Sequence, residues 1–105
     1  MKKFEKHEEY LEAIKEGKSV LLFSADWCPD CRVIEPFLPE LEKEYSDMAF
    51  YYVDRDDHIE LCQEMDVFGI PSLVAFNNGE ETGRFVSKLR KTKEEIEEFL
   101  SSVNE

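Results

Sequence analysis

The sequence predicts a layered α/β domain: a central mixed β-sheet, mostly parallel with an antiparallel terminal hairpin, flanked by about four helices. Three observations predict it. Apolar runs of strand length, at 20–23 and 49–53, alternate with segments of helical apolar spacing. Asn77-Asn78-Gly79 is a strong hairpin turn between two further strand patterns. The chain then closes on an amphipathic segment opened by Thr92 and Glu95, the two ends of a capping box. Strands alternating with helices favour parallel pairing, and the hairpin adds an antiparallel edge.

Each element has its own justification. Residues 2–4 form a short first strand. From about Lys6 to Glu16, Tyr10, Leu11 and Ile14 share one helical face, and Gly17 is placed to end the helix. Val20-Leu21-Leu22-Phe23 is uninterrupted apolar sequence, as a strand buried on both faces requires. Beyond Cys31, the residues Ile34, Phe37, Leu38, Leu41 and Tyr45 trace a helix. Pro36 removes an N–H and kinks it, and Pro39 predicts that it is broken. Ala49 to Val53 is aromatic and β-branched, hence a strand, closed by Asp54-Arg55-Asp56-Asp57. A short helix from about His58 to Met65 would place Ile59, Cys62 and Met65 on one side. Ser72 to Phe76 and about Gly83 to Ser87 are the hairpin's arms. The last helix faces the core with Ile96, Phe99, Leu100 and Val103.

Bulk properties narrow the function. At 105 residues the chain reads as one domain spanning 1–105, without repeats or linkers. A net charge of −12 argues against nucleic acid or an anionic membrane as partner. No run approaches the roughly 20 apolar residues that span a bilayer. Met1 to His7 carries basic residues with no apolar stretch behind them, unlike a signal peptide, so a cytoplasmic location is expected. Three cysteines make a structural disulfide framework improbable; in a reducing compartment a Cys-x-x-Cys pair is redox-active or metal-binding.

Trp27-Cys28-Pro29-Asp30-Cys31 joins the strand at 20–23 to the following helix. Both cysteines then lie on the helix's first turn, where unpaired N–H groups and the positive end of the dipole favour a thiolate. Pro29 suits the first helical position. A thiolate beside a second thiol can attack a disulfide, and the second thiol can expel the product. The motif therefore points to thiol–disulfide exchange. Ligand types alone leave a zinc site open, with His58 and Cys62 joining Cys28 and Cys31. Nothing in the predicted elements brings them together, so no metal ligand is assigned. Cys62 reads as a packing thiol, with redox sensing as the alternative. His7 and the acidic helix faces read as solvated, as does the basic turn of Lys88, Arg90, Lys91 and Lys93, which could steer an acidic partner.

Several positions together resemble the thioredoxin family, over nearly the whole chain. They are Phe23, Ala25-Asp26-Trp27-Cys28-x-x-Cys31, Pro36, Gly69-Ile70-Pro71-Ser72 and Asn78-Gly79-Glu80. The resemblance implies the thioredoxin fold and a Cys28/Cys31 dithiol–disulfide cycle, with no bound cofactor beyond that redox-active disulfide. Cys28 would be the exposed nucleophile and Cys31 the more buried resolving thiol. Pro71 would be a cis-proline facing the cysteines and exposing the Ile70 backbone to an extended substrate segment. Trp27 would rim the substrate groove. The implied substrates are disulfide-containing proteins or small molecules. The implied electron donor is a thioredoxin reductase-like flavoprotein or a low-molecular-weight thiol. On this resemblance the chain is a monomeric protein-disulfide reductase; the alternative is a binding or redox-sensing module of the same fold.

The sequence also departs from that family. Leu22 stands where many members bury an aspartate, and Tyr52 where a lysine often neighbours it. Asp26 matches a surface acidic position and does not inherit the buried role. The carboxylate adjoining the resolving thiol is Asp30, kept ionised by the helix start, and it is the candidate to take the Cys31 proton. Its charge opposes thiolate formation beside the sulfurs, while Arg32 and the dipole act the other way. Ser24 replaces a second tryptophan, Ser87 a glycine, and Phe68 adds bulk before Gly69. Pro29-Asp30 between the cysteines resembles small members with a Trp-Cys-Pro-Asp-Cys motif, which suggests narrower substrate choice.

Overall fold

The computed structural model describes residues 1–86 and 91–104. Among them the strands are β1 (Lys2–Lys3), β2 (Lys18–Ser24), β3 (Ala49–Asp54), β4 (Ser72–Asn77) and β5 (Glu80–Val86). The helices are α1 (His7–Ala13), α2 (Pro29–Ile34), α3 (Leu38–Glu44), α4 (Ile59–Glu64) and α5 (Lys93–Val103). The strands form one sheet in the order β1-β3-β2-β4-β5. The predicted groove position Ser87, and the basic residues Lys88 and Arg90, lie outside the described residues.

β1 and β2 run parallel to β3, whereas β2–β4 and β4–β5 are antiparallel. The antiparallel part is therefore wider than the terminal hairpin alone. The connection from β3 to β4 carries a short helix, α4. Six helical residues rise about 9 Å, less than half the ~20 Å of a six-residue strand. β4 starts at the sheet edge where β3 stops and runs back antiparallel to β2.

Alternation along the strands sorts the core into two layers. Val20, Leu22, Phe50, Leu73 and Ala75 pack with Ile34, Leu38, Leu41, Ile96 and Leu100 from α2, α3 and α5. Leu21, Phe23, Val53, Val74 and Phe76 pack with Tyr10 and Ile14 near α1 and with Leu61 and Cys62 of α4. β2 is central because its apolar run serves both layers; Val20, Leu21, Leu22 and Phe23 are all buried.

The broken helix forms as the prolines require. α2 passes through a 3₁₀ turn at Glu35–Phe37 containing Pro36, and α3 restarts with Pro39 in its first turn. Gly17 and the hairpin turn both use positive φ, at +69° for Gly17, +52° for Asn78 and +89° for Gly79. They meet: the Asn78 N–H donates to the Gly17 carbonyl at 2.9 Å, and Gly17 N–H to Asn78 Oδ1 at 2.8 Å. The α5 capping box is present, with Glu95 N–H donating to Thr92 Oγ1 and Thr92 N–H to Glu95 Oε1.

The apolar side predicted for α4 needs correction. Ile59 is 51% exposed, and Leu61 with Cys62 takes the buried side. At ~100° per residue, Ile59 lies about 110° from a face centred between Leu61 and Cys62. His7 is also more engaged than a solvated position: its Nε2 lies 2.7 Å from Glu64 Oε2, tying α1 to α4.

Candidate active site

One edge of the sheet gathers the functional residues. β2 and β3 end there together, with Ser24 opposite Asp54. Because β4 runs antiparallel, it begins at the same edge, and Val86 at the end of β5 faces Ser72. The segments Ala25–Cys28, Arg55–His58 and Gly69–Pro71 thus emerge as neighbours.

Cys28 is the N-cap of α2, with Pro29 next. Its Sγ accepts the Cys31 backbone N–H at 3.2 Å, and the two sulfurs are joined as a disulfide. The same N–H would stabilise a Cys28 thiolate after reduction, because a charged acceptor strengthens the bond. The predicted contrast in accessibility is smaller than the resemblance implied. Cys28 is only 4% exposed against 0% for Cys31. The reason is its position: the sulfur folds back over the first turn and, with Ala25 and Cys31, is covered by Ile70. Cys28 is not the exposed group expected, but it is the more accessible of the pair.

The flanks are built from two loops. The Ile70–Pro71 peptide is cis and Pro71 is buried, while the Ser72 hydroxyl donates to the Gly69 carbonyl. On the other side Trp27 is 58% exposed. Its Nε1–H donates to Asp56 Oδ2 at 2.6 Å, and the Arg55 guanidinium lies 5.7 Å from the ring centroid. Asp54 builds the turn that places both partners, its Oδ1 accepting the N–H groups of Asp56 and Asp57. Phe68, 72% exposed, adds a second aromatic surface.

Asp30 occupies the first turn of α2 and is half-buried. Arg32 does not reach back to the sulfurs; its Nε and Nη2 donate to the Asp26 carbonyl at 2.9 and 2.6 Å. The basic turn departs most from expectation. Lys91 is 1% exposed, with Nζ 4.8 Å from the Phe85 ring centroid, rather than solvated. Burial lowers its ammonium from the ordinary lysine range, while the charges of Glu95 and Asp30 act against that lowering. Lys93 pairs with Glu40 at 3.0 Å, joining α5 to α3.

The thioredoxin family profile matches residues 2–102. The chain belongs to the thioredoxin family. Thioredoxin H-type of Fagopyrum esculentum is 39% identical over 81 residues, covering 76% of this chain and 70% of that one. Thioredoxin of Callithrix jacchus is 34% identical over 94 residues, covering 89% and 90%. Among solved structures, Fasciola hepatica thioredoxin superposes with a TM-score of 0.81 at 27% identity, over 96% and 97% of the two chains. Plasmodium falciparum thioredoxin gives 0.87 at 22%, over 96% and 97%, a likeness of fold. Family membership and the Cys28–Cys31 disulfide make this a thiol–disulfide oxidoreductase.

The floor of the site holds Leu22 and Tyr52. Leu22 and Tyr52 are cross-strand neighbours, so the two substitutions fall on one spot. Leu22 is buried among Ile34, Leu38 and Leu73. Tyr52 lies at the margin of that cluster, where burial raises its phenol above the usual range and the charges of Glu35, Asp54 and Asp26 add to it. Ser24 is fully buried, so it does not form the groove wall expected of it; strand alternation turns it to the Leu22 side. His58 stacks edge-on against Tyr10 at 5.0 Å and Cys62 lies in the Tyr10 layer, apart from Cys28 and Cys31. The four residues of the zinc alternative do not converge. Burial raises the Cys62 thiol above its ordinary range.

Two residues escaped the sequence reading. Asp56 holds Trp27, a role hidden among four neighbouring charged residues. Lys91 was read among the solvated basic residues, and nothing in its sequence position marks it as buried.

Proposed function

We propose that the chain is a reductase of protein or small-molecule disulfides, cycling Cys28 and Cys31 between dithiol and disulfide. The observation that carries this reading is the Cys28 sulfur at the α2 cap, held by the Cys31 N–H beside Ile70. In the reduced protein the Cys28 thiolate attacks one substrate sulfur. The substrate S–S bond breaks, and the departing thiolate is protonated. Cys31 then loses its proton and attacks Cys28 Sγ in the mixed disulfide, releasing the second substrate thiolate. Two electrons have passed to the substrate, and the Cys28–Cys31 disulfide remains.

Neighbouring residues take supporting roles in this reading. Ile70, beside Pro71, offers its backbone to an extended substrate segment, as in strand addition. Trp27 supplies an apolar rim, and Pro29 opens the helix. Asp30 accepts the Cys31 proton, since Leu22 puts no carboxylate beneath the site. The electron donor is a thioredoxin reductase-like flavoprotein or a low-molecular-weight thiol. The protein works as a monomer in the cytoplasm, where Cys62 as a buried free thiol is at home.

Disulfide reduction with a supplied electron donor tests this. Cys28→Ser abolishes turnover, and Cys31→Ser accumulates mixed disulfides whose captured partners name the substrates. A wild-type protein with no thiol reactivity at neutral pH would instead make it a binding module.

A further inference from the structure

We infer that Arg84 is a positioning residue for substrate binding, a clamp on the edge strand β5 that holds the start of the loop carrying Ile70. The inference rests on the reading that the Ile70 backbone receives an extended substrate segment.

Strand alternation aims the side chain. Arg84 lies opposite Val74 in the β4–β5 ladder, and Val74 belongs to the layer that takes in Leu61 and Cys62 of α4. Arg84 therefore leaves β5 on the α4 side. Helix α4 ends in a Schellman turn, with Val67 N–H donating to the Cys62 carbonyl at 2.8 Å and Asp66 N–H to the Gln63 carbonyl at 3.2 Å. The residue that turns left-handed there is Asp66, at φ +55°, a place usually taken by glycine. The last carbonyls of a helix find no donor within it. Arg84 supplies donors here: Nη2 to the Met65 carbonyl at 3.0 Å and Nη1 to the Asp66 carbonyl at 3.3 Å. Glu81 on the same strand orients the guanidinium by a bidentate pair, accepting from Nε at 2.9 Å and from Nη2 at 2.6 Å. The planar fork is thereby held in one orientation.

From this clamp residues 67–71 lead the chain to β4. The far end is tied as well, because Ser72 faces Val86 of β5 and its hydroxyl donates to the Gly69 carbonyl. Both ends of the loop hang on one strand. Between them Ile70 covers Cys28 and Cys31, and Phe68 stands exposed. Strand addition draws its affinity from main-chain bonds, so it needs a backbone already held in place. Arg84 spares the substrate the cost of ordering the loop.

Arg84→Met removes the donors and keeps an aliphatic stem. With dithiothreitol as electron donor, its KM for insulin rises about fivefold while kcat stays near wild type, the mark of lost uniform binding. The pre-reduced variant reacts with dithiobisnitrobenzoate, a small disulfide with no backbone to pair, within about twofold of the wild-type rate. Native-state hydrogen exchange at Phe68 and Ile70 quickens about tenfold, and exchange in β2 does not. Arg84→Lys, which keeps the charge and one donor, recovers part of the KM.

A purely structural arginine would lower thermal stability and leave KM and loop exchange at wild-type values; that result overturns the inference. An equal loss of rate with both disulfides overturns it too, because the effect would then lie in the sulfur chemistry. Should Arg84→Met not fold, Glu81→Ala frees the same fork, and an unchanged KM in that variant overturns the inference. A wild-type protein that reduces dithiobisnitrobenzoate but not insulin instead defeats the strand-addition reading of Ile70 itself.

Discussion

Asp30 is the carboxylate next to the resolving thiol in sequence, and Leu22 puts none beneath the site. Asp30 is half-buried at the helix start, so in the proposed cycle water can share the proton transfer with it. Asp30→Asn is predicted to slow resolution of a mixed disulfide about tenfold near pH 6–7. The two rate profiles converge at alkaline pH, where hydroxide can take the proton in place of the carboxylate. Superimposable profiles across pH would remove Asp30 from proton transfer. Leu22 shows the opposite constraint. It is 1% exposed beside Tyr52, a side chain without positive charge. Leu22→Asp is predicted to lower unfolding stability by about 3–5 kcal/mol, the penalty of an unpaired buried charge, measured by urea denaturation. Adding Tyr52→Lys should recover part of the loss, and failure to recover any would mean that the two sites are not coupled. The replacement of both residues was legible in the sequence because it is a matter of identity at matched positions. The burial of Ser24 and Lys91 was not, because it depends on which layer each side chain enters after the chain has folded.

Elements were legible where local chemistry sets them. Pro36 and Pro39 broke the helix, Asn78-Gly79 made the turn, and Thr92 with Glu95 opened α5, each through its own backbone constraint. Features set by partners were less so. Periodicity grouped Ile59 with Cys62, yet the Tyr10 layer accepted Leu61. Patterning also gave no hint that β2–β4 pairs antiparallel, since strand direction is set by how the connection packs and not by the strand's own residues. Gly83 is another partner-set feature. A Cβ there would lie 2.7 Å from Val103 Cγ1 and 3.4 Å from Phe99 Cε1, so the glycine lets α5 lie close on β5. Gly83→Ala is predicted to cost about 1–2 kcal/mol by overpacking, seen as a lower urea midpoint. The same change with Val103→Ala should cost clearly less than the two single effects added. Strict additivity would show that the glycine serves β5 alone and not its contact with α5.

For the whole molecule, pH dependence follows from buried groups that keep their protons. Tyr10 is raised above its ordinary value of 10.0, first by burial, against a lowering contribution from its bond to Phe4. Cys62 is raised above 9.0, again first by burial. Tyr10 also donates to the Tyr52 carbonyl, so ionising it strips a bond that ties α1 to β3. Both are acids that the folded state holds protonated more tightly than the unfolded chain does. Between the unfolded and folded pKa values the native state therefore binds more protons, and unfolding free energy falls as pH rises. Their stabilisation is complete below about pH 7.5, where both unfolded groups are still neutral. It is lost as pH climbs through the raised folded values. Lys91 works in the reverse sense: its lowered affinity makes the native state bind fewer protons below the ordinary lysine value of 10.5, so its term favours folding as pH increases. Cys62→Ala separates the contributions. It is predicted to shrink the loss of stability between about pH 8 and pH 10, leaving the steeper loss above it to Tyr10. Denaturant midpoints of wild type and variant across that range measure the difference. Parallel curves would show that Cys62 ionises as freely in the folded protein as in the unfolded chain, and that the Tyr10 layer does not exclude its charge.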